Sequence, residues 1–310
     1  MADESEQGEN LLRNSVDSNI EDSKSLSLKW KLIIIIGISI LVLIAIGITL
    51  FFLLKGDKKD DEKEEDSIEV LTPIIINPIS EYTHCIIWLH GMDNSPENFQ
   101  DMFKVEVPFS KKDNTKIILM RAPYEIMSYN ERNFTSWFDI FWFPINSSQS
   151  YNFTEATNSK RMLEKIINQE AKNLNGNYKN IFIGGHSQGA CISLYTAYNF
   201  KELLGGVLVC SGVLFPQAEI IGNKNKLKVF LAHGENDKAI PLSFHNETVK
   251  RIENFEGVKK YYYKNHGHNI ADYEKIDMGK FINDTIIENN NSYLILNFVL
   301  KLIFLFMVYL

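Results

Sequence analysis

The stretch that decides the fold is residues 181–189, IFIGGHSQG, in which an apolar run ends in a G-x-S-x-G sequence centred on Ser187. The apolar run predicts a strand, and the residues that follow predict a helix at Gln188–Asn199. A serine between a strand and a helix lies on a sharp, strained turn, where nearby side chains would collide with backbone. We therefore expect the turn to need Gly185 and Gly189, and Ser187 to be a candidate nucleophile.

The surrounding chain alternates short apolar runs with helical patterns. The predicted strands are Cys85–Leu89, Ile117–Met120, Ile181–Ile183, Val207–Cys210, Val229–Ala232 and Val258–Tyr263. The predicted helices are Glu155–Ala171, Gln188–Asn199, Phe244–Phe255 and Ile270–Ile287. Strands that are apolar on both faces are typical of a parallel sheet covered by helices on each side. The pattern predicts an α/β fold with a doubly wound, mostly parallel sheet.

A serine hydroxyl is a weak nucleophile and needs a base that an acid holds in place. In folds with this kind of turn, the acid and then the histidine follow the serine along the chain. Asp237 lies on the loop after one predicted strand, with Glu235 as the alternative acid. His268 lies between the next strand and the closing helix, with His266 as the alternative base. We predict a catalytic triad of Ser187, Asp237 and His268.

Acyl transfer also needs donors for the negative charge that develops on the carbonyl oxygen. One backbone N–H comes from the residue after the nucleophile, which here is Gln188. The other comes from the loop after an early strand, where we predict the N–H of Met92.

The composition narrows the chemistry further. The chain of 310 residues has a formal net charge of −7, and this acidic balance argues against nucleic-acid binding. Cys85, Cys191 and Cys210 each lie in an apolar run and form no C-x-x-C pair. We therefore expect neither a disulfide framework nor a zinc site, and the chemistry predicted above needs no metal and no organic cofactor.

Several segments resemble the acyl-protein thioesterase, lysophospholipase and carboxylesterase family. They are Leu89-His90-Gly91, Gly185-His186-Ser187-Gln188-Gly189, His233-Gly234 with Asp237, Gly267-His268, Arg121-Ala122-Pro123 followed by Ser136-Trp137-Phe138-Asp139, and Ser193-Leu194-Tyr195. The resemblance covers about residues 82–288. It implies an α/β-hydrolase fold and cleavage of thioesters such as S-palmitoyl cysteine, of lysophospholipids or of simple esters.

Two positions depart from the family pattern. Where the family has H-G-x-G-D, this chain has His90 through Asn94, so Asp93 replaces the second glycine and the oxyanion loop is expected to differ. Ala190 stands where a second glycine is common after the nucleophile.

The functional prediction is a serine hydrolase, foremost an acyl-protein thioesterase that acts on S-acylated proteins. The alternatives are a lysophospholipase or general carboxylesterase, and an inactive membrane adaptor. The oligomeric state stays open.

Residues 129–153 are rich in aromatics, which either line an acyl-chain groove or pack in the core. We predict that four of these aromatics line the groove: Trp137, Phe141, Trp142 and Phe143.

The two ends of the chain differ from its middle. We divide the chain into a polar, disordered tail (1–31), a transmembrane helix (32–54), a charged linker (55–68), an α/β-hydrolase domain (69–290) and a hydrophobic C-terminal tail (293–310). The run at 32–54 would span ~35 Å as a helix, enough to cross a bilayer. The sequence thus predicts a membrane protein with a single-pass anchor, with the bilayer as a partner. The side that the domain faces is undecided, because lysines flank both ends of the run.

Overall fold

A computed structural model describes residues 70–308 of the chain. The chain divides into two units, of which the second comprises residues 67–310. Everything described below belongs to the second unit. The side chains of residues 292–297 and 306–308 are outside the description.

The second unit is built on a seven-stranded sheet. Its strands are β1 (Ile74–Ile76), β2 (His84–Leu89), β3 (Thr115–Met120), β6 (Ile181–His186), β7 (Gly206–Cys210), β8 (Val229–Gly234) and β9 (Val258–Tyr263). Their spatial order is β1-β3-β2-β6-β7-β8-β9, and β1 alone among them pairs antiparallel. The strands β4 (Tyr124–Met127) and β5 (Arg132–Thr135) form a separate antiparallel hairpin.

Four α-helices accompany the sheet: α1 (Phe153–Asn173), α2 (Gln188–Asn199), α3 (Leu242–Ile252) and α4 (Asp272–Val308). Three short 3₁₀ segments lie at Pro96–Phe99, Lys112–Asn114 and Tyr178–Asn180, and a π-helical turn lies at Met102–Glu106.

Alternating side chains of each central strand face two separate parts of the core. In β2, Ile87 and Leu89 belong to the cluster that contains residues of α1, α2 and α3. Ile86 and Trp88 face the other cluster, which contains Phe281 of α4. Helices thus cover both faces of the sheet, as its all-apolar strands require. Because the central strands are parallel, the loops at their carboxyl ends meet along one edge.

The predicted elements of the middle of the chain are present. Each of the six predicted strands is found, most of them extended by one to three residues. Helix α3 begins just after Pro241 and ends at Ile252, three residues before its predicted end. The prediction missed β1 and the β4–β5 hairpin. In β1 the three residues are too few to show a pattern, and most residues of the hairpin are exposed, so its sequence lacks a buried apolar run.

The prediction of a membrane-anchored localisation is corrected by this structure. Within residues 70–308, no helix is both long and apolar enough to cross a bilayer. The run at 32–54, on which the prediction depended, lies outside the described residues. The predicted C-terminal tail begins inside α4, which continues without a break to Val308.

Candidate active site

The turn between β6 and α2 has the geometry that its sequence predicts. Ser187 adopts φ 56° and ψ −121°, a left-handed conformation that a residue with a side chain rarely takes. A Cβ atom on Gly185 would lie 2.4 Å from the carbonyl carbon of Gly189, and one on Gly189 would lie 2.2 Å from Leu89 O. Ser187 N–H donates to Cys210 O over 3.0 Å, which ties the turn to the neighbouring strand. Both glycines are therefore required by backbone contacts.

The structure brings the three predicted triad residues together. His268 Nε2 lies 2.7 Å from Ser187 Oγ, within reach of the hydroxyl proton. On the other side of the ring, His268 Nδ1 lies 2.6 Å from Asp237 Oδ2. The three residues come from loops that follow β6, β8 and β9, at the carboxyl edge of the sheet. This is the geometry of a nucleophile, a base and an orienting acid.

Asp237 is held as a buried carboxylate. Its side chain is 0% exposed, and its Oδ1 accepts the N–H groups of Ala239 and Ile240, each over 2.9 Å. Burial alone would raise the pKa of Asp237, but the hydrogen bond and charge of His268 and the Ile240 N–H lower it below its ordinary value. The carboxylate is thus ionised at neutral pH and fixes the His268 ring with Nδ1 protonated.

The two alternative residues make other contacts. Glu235 is exposed, and its backbone N–H pairs with Tyr263 O. His266 Nε2 lies 2.6 Å from Asn269 O and 3.8 Å from a carboxylate oxygen of Glu274. Both alternatives have suitable chemistry, but within the described residues the hydrogen bonds to His268 and Ser187 join the triad and neither alternative.

Two further histidines lie next to the triad. The ring of His186 lies 4.9 Å from the ring of His268, centroid to centroid. Desolvation, with a contribution from the nearby His268, lowers the pKa of His186 to about 3, so this second ring stays neutral. His233 Nε2 lies 2.9 Å from Ile240 O, which braces the loop that carries Asp237.

The oxyanion loop accommodates the residue that replaces the family glycine. Asp93 adopts φ 57°, the left-handed region that glycine takes most easily. Its N–H donates to Thr135 O over 2.9 Å, and Thr135 Oγ1 donates to Asn94 O over 2.6 Å. The loop is thus fixed to the end of the β4–β5 hairpin, and Met92 lines the same pocket as Ser187.

That pocket has a volume of about 250 Å³. Gln188 and His268 also line it, so the residues that carry both predicted N–H donors line one cavity with the nucleophile and the base. Its apolar wall consists of Met92, Ile140, Phe143, Ile145, Ala239 and Ile240. Two other cavities, of about 300 and 680 Å³, lie at the amino ends of the strands and contain no triad residue.

The four aromatics predicted for the groove occupy different places. Phe143 lines the pocket and stacks on Tyr129 at 5.7 Å. Phe141 and Trp142, which directly precede Phe143 in the sequence, are 37% and 68% exposed. Trp137 is 2% exposed and is not among the residues that line the pocket, so its position does not favour a groove role.

The side chain of Gln188 has a role that the sequence did not reveal. Its Oε1 accepts the Trp137 N–H over 3.0 Å, and its Nε2 donates to Phe138 O over 2.8 Å. Ser136 Oγ also lies 3.0 Å from Gln188 Oε1. The residue after the nucleophile is thus joined to a segment about fifty positions earlier, a contact that no local pattern shows.

A serine, a histidine and a buried carboxylate in hydrogen-bonded order, at the carboxyl edge of a parallel sheet, define a serine hydrolase of the α/β-hydrolase type. The family model described as Phospholipase/Carboxylesterase matches residues 71–286. The chain therefore belongs to the phospholipase/carboxylesterase family, as its motifs predict.

Two similar proteins are named as acyl-protein thioesterases, which fits this family. The chain is 28% identical to acyl-protein thioesterase 1 of Mycosarcoma maydis over 201 residues, which are 60% of this chain and 83% of that protein. It is 27% identical to acyl-protein thioesterase 1 homolog 1 of Dictyostelium discoideum over 215 residues, 67% of this chain and 93% of that protein.

Solved structures share the fold. The crystal structure of Arabidopsis thaliana SOBER1 matches with a TM-score of 0.60 at 23% identity, covering 66% of this chain and 99% of that one. Zea mays acyl-protein thioesterase 2 matches with a TM-score of 0.57 at 18% identity, covering 69% and 98%.

Proposed function

We propose that this protein is an acyl-protein thioesterase, which hydrolyses the thioester between a long acyl chain and a cysteine of a substrate protein. The observation that carries the proposal is the unbroken line of hydrogen bonds from Ser187 through His268 to Asp237, at 2.7 and 2.6 Å. The family to which the chain belongs supports an ester or thioester bond as the target. The names of the relatives support a protein-bound thioester over a lipid ester.

In the first half of the proposed reaction, Ser187 Oγ attacks the acyl carbon and its proton passes to His268 Nε2. Asp237 stabilises the imidazolium that forms. The negative charge moves to the carbonyl oxygen, which accepts hydrogen bonds from the backbone N–H groups of Met92 and Gln188. When the tetrahedral intermediate collapses, the carbon–sulfur bond breaks and the cysteine thiolate leaves with the proton from His268.

In the second half, a water molecule takes the place of the thiol. His268 Nε2 removes one proton from this water, and the resulting hydroxide attacks the acyl carbon of the acyl-enzyme. The bond between that carbon and Ser187 Oγ then breaks, and the serine recovers its proton from His268. The products are a fatty acid and a free cysteine thiol.

The surroundings of the triad suit an acyl chain. The pocket wall is apolar, and Phe141 and Trp142, which precede Phe143 in the sequence, are exposed aromatic residues. Burial of hydrocarbon against such side chains contributes roughly 0.8 kcal/mol per methylene. We propose that Phe141, Trp142 and Phe143 contact the acyl chain, and that the thiol side of the substrate faces the open mouth of the pocket.

The test compares two substrates of equal chain length, an S-palmitoyl peptide and a palmitoyl lysophospholipid, with the full chain as the enzyme. We expect faster cleavage of the thioester, and a loss of several orders of magnitude in turnover for Ser187→Ala. Preferential cleavage of the lipid would replace the proposal with a lysophospholipase. A Ser187→Ala variant within about tenfold of the wild type would remove Ser187 as the nucleophile.

The role of the acid is tested with a matched pair of neutralising variants. Asp237→Asn keeps the size of the side chain but favours the wrong tautomer of His268, so we expect kcat to fall about 10⁴-fold. Glu235→Gln makes the same chemical change two residues away on the exposed side of the loop, and we expect kcat to change less than about twofold. Equal losses in the two variants would contradict the assignment.

A further inference from the structure

We propose that His90 is a positioning residue, which orients the Gly91–Met92 peptide so that the Met92 N–H faces the acyl oxygen. The inference rests on the proposed function, because it concerns the oxyanion hole of that reaction. His90 is 1% exposed, and it is not among the residues that line the pocket with Ser187. Its sequence position, at the end of a strand before a glycine, predicts only a role in shaping the turn.

The hydrogen bonds of the His90 ring decide where its proton lies. Ala122 N–H points at His90 Nε2 over 3.1 Å. A backbone N–H can only donate, so Nε2 carries no proton and accepts. The proton is therefore on Nδ1, which lies 2.7 Å from Gly91 O and donates to it.

This bond fixes the direction of the next peptide. In a planar trans peptide the C=O of one residue and the N–H of the following residue point in opposite directions. Because the Gly91 carbonyl is held toward the His90 ring, the Met92 N–H must point away from it. Met92 and Gly91 both line the pocket that contains Ser187. The N–H is thus directed to the side where the carbonyl oxygen of an acyl group would lie.

The ring remains in this state across the range in which the enzyme would work. Burial lowers the pKa of His90, and the bond to the Gly91 carbonyl offsets only part of that effect. A neutral ring can keep one nitrogen as an acceptor and the other as a donor. A protonated ring would have two donors, and the Ala122 N–H would then face a second N–H.

The same network reaches the second donor of the oxyanion hole. Trp137 Nε1 donates to His90 O over 2.7 Å, while the Trp137 backbone N–H donates to Gln188 Oε1 over 3.0 Å. Trp137 and Gln188 are both buried. The loop that carries the Met92 N–H and the residue that carries the Gln188 N–H are therefore both bonded to Trp137, one through its side chain and the other through its backbone N–H. This arrangement fixes the spacing of the two donors before a substrate arrives.

Two conservative variants separate positioning from a purely structural role. In His90→Asn, the amide nitrogen takes the place of Nδ1 and still donates to Gly91 O, but Ala122 N–H loses its acceptor. In His90→Gln, the amide oxygen takes the place of Nε2 and still accepts from Ala122 N–H, but the Gly91 carbonyl is released. The experiment measures kcat, KM and the melting temperature of both full-length variants, with a p-nitrophenyl ester and an S-palmitoyl peptide.

We expect opposite patterns in the two variants. His90→Gln should lose less melting temperature than His90→Asn and keep its KM, but lose about 10- to 100-fold in kcat, somewhat less than the removal of an oxyanion donor costs. It should also bind an alkyl trifluoromethyl ketone, whose adduct with Ser187 carries the oxyanion, more weakly by a similar factor. His90→Asn should lose melting temperature and keep kcat within about threefold.

The outcomes distinguish this proposal from the one on which it rests. If kcat follows the melting temperature in both variants, or if His90→Asn is as slow as His90→Gln, the role of His90 is structural and the inference is wrong. A wild type that cleaves the p-nitrophenyl ester but not the thioester would overturn the proposed substrate. The role of His90 would then be tested by the opposite effects of the two variants on the cleavage of the p-nitrophenyl ester. A wild type that cleaves neither would overturn both.

Discussion

The two loops that line the pocket each contain a residue with a side chain in the left-handed region. Ser187, in the turn after β6, has φ 56°, and Asp93, in the oxyanion loop after β2, has φ 57°. In the turn, the backbone is enclosed on several sides, and the glycines on each side of the serine have no room for a Cβ atom. In the oxyanion loop, Asp93 is exposed and is held mainly through Thr135.

The comparison shows that nearly the same φ angle serves a different purpose in each of the two loops. At Ser187 the strained conformation directs Oγ to His268, so the strain is part of the site. At Asp93 the conformation only reverses the chain after Met92, and any residue that tolerates positive φ can do this. Aspartate tolerates it better than most side chains do. Substitutions in the two loops should therefore differ widely in their effects.

The largest effect is expected at the turn. In Gly189→Ala, the new Cβ would lie 2.2 Å from Leu89 O and 2.6 Å from His90 O. Both are backbone atoms at the end of β2. Helix α2 would have to move away from β2, so we expect at least about 3 kcal/mol of lost stability and no detectable turnover. Urea unfolding and labelling by a fluorophosphonate measure the two effects.

The matched control for that variant is Gly267→Ala. A Cβ at Gly267 meets no atom within 4 Å, although this glycine directly precedes His268. We expect stability within about 0.5 kcal/mol of the wild type. A Gly189→Ala variant as stable as this control would show that the backbone contacts of the turn are less restrictive than the structure indicates.

A smaller effect is expected at the glycine of the oxyanion loop. In Gly91→Ala, the Cβ would lie 3.1 Å from Ser187 Cβ and 3.2 Å from His186 Nδ1, which are side-chain atoms. They can yield by a few tenths of an ångström, so the variant should fold with a loss of about 1 kcal/mol. The shift of Ser187 should lower kcat roughly tenfold, because small misplacements of reacting atoms are costly. Steady-state kinetics and urea unfolding check both numbers, and wild-type kcat would contradict the proposed contact.

The difference between the loops also explains how much the sequence could predict. The turn is defined by residues within a few positions of Ser187, so its glycines, its serine and the flanking strand and helix follow from local sterics. The order of the acid and the base along the chain then restricts the choice to Asp237 or Glu235 and His268 or His266. Only the fold decides within each pair, because side-chain direction on an irregular loop depends on the neighbouring loops.

The oxyanion loop depends on contacts that are distant in sequence. His90 is fixed by Ala122 and Trp137, and Trp137 in turn is bonded to Gln188. The sequence therefore indicates that His90 and Trp137 belong to the family pattern without showing what they do. The groove prediction for Trp137 came from its aromatic character, which suits a buried ring with a bonded N–H equally well. The missed β4–β5 hairpin matters for the same reason, since Thr135 at its end holds Asp93 and Asn94.

The smallest effect is expected where the chain departs from its family. Asp93→Gly relieves a left-handed aspartate, which costs the folded state roughly 1–2 kcal/mol. Glycine also gives the unfolded chain more freedom, which lowers stability by roughly 0.5–1 kcal/mol. The two terms oppose each other, so we expect a net gain of between zero and roughly 1.5 kcal/mol in the free energy of unfolding. Since the Asp93 N–H to Thr135 O bond is retained, kcat should stay within about twofold.

The control for Asp93→Gly is Asn175→Gly, which also replaces a left-handed residue by glycine, here an asparagine at φ 55° in the loop after α1, away from the pocket. If both variants gain similar stability and keep full activity, the aspartate is simply a tolerated substitute for glycine. If Asp93→Gly alone lowers kcat, its carboxylate or its stiffness contributes to the oxyanion hole. Strain in the oxyanion loop would then be functional, as it is at Ser187, and the contrast between the two loops would fail.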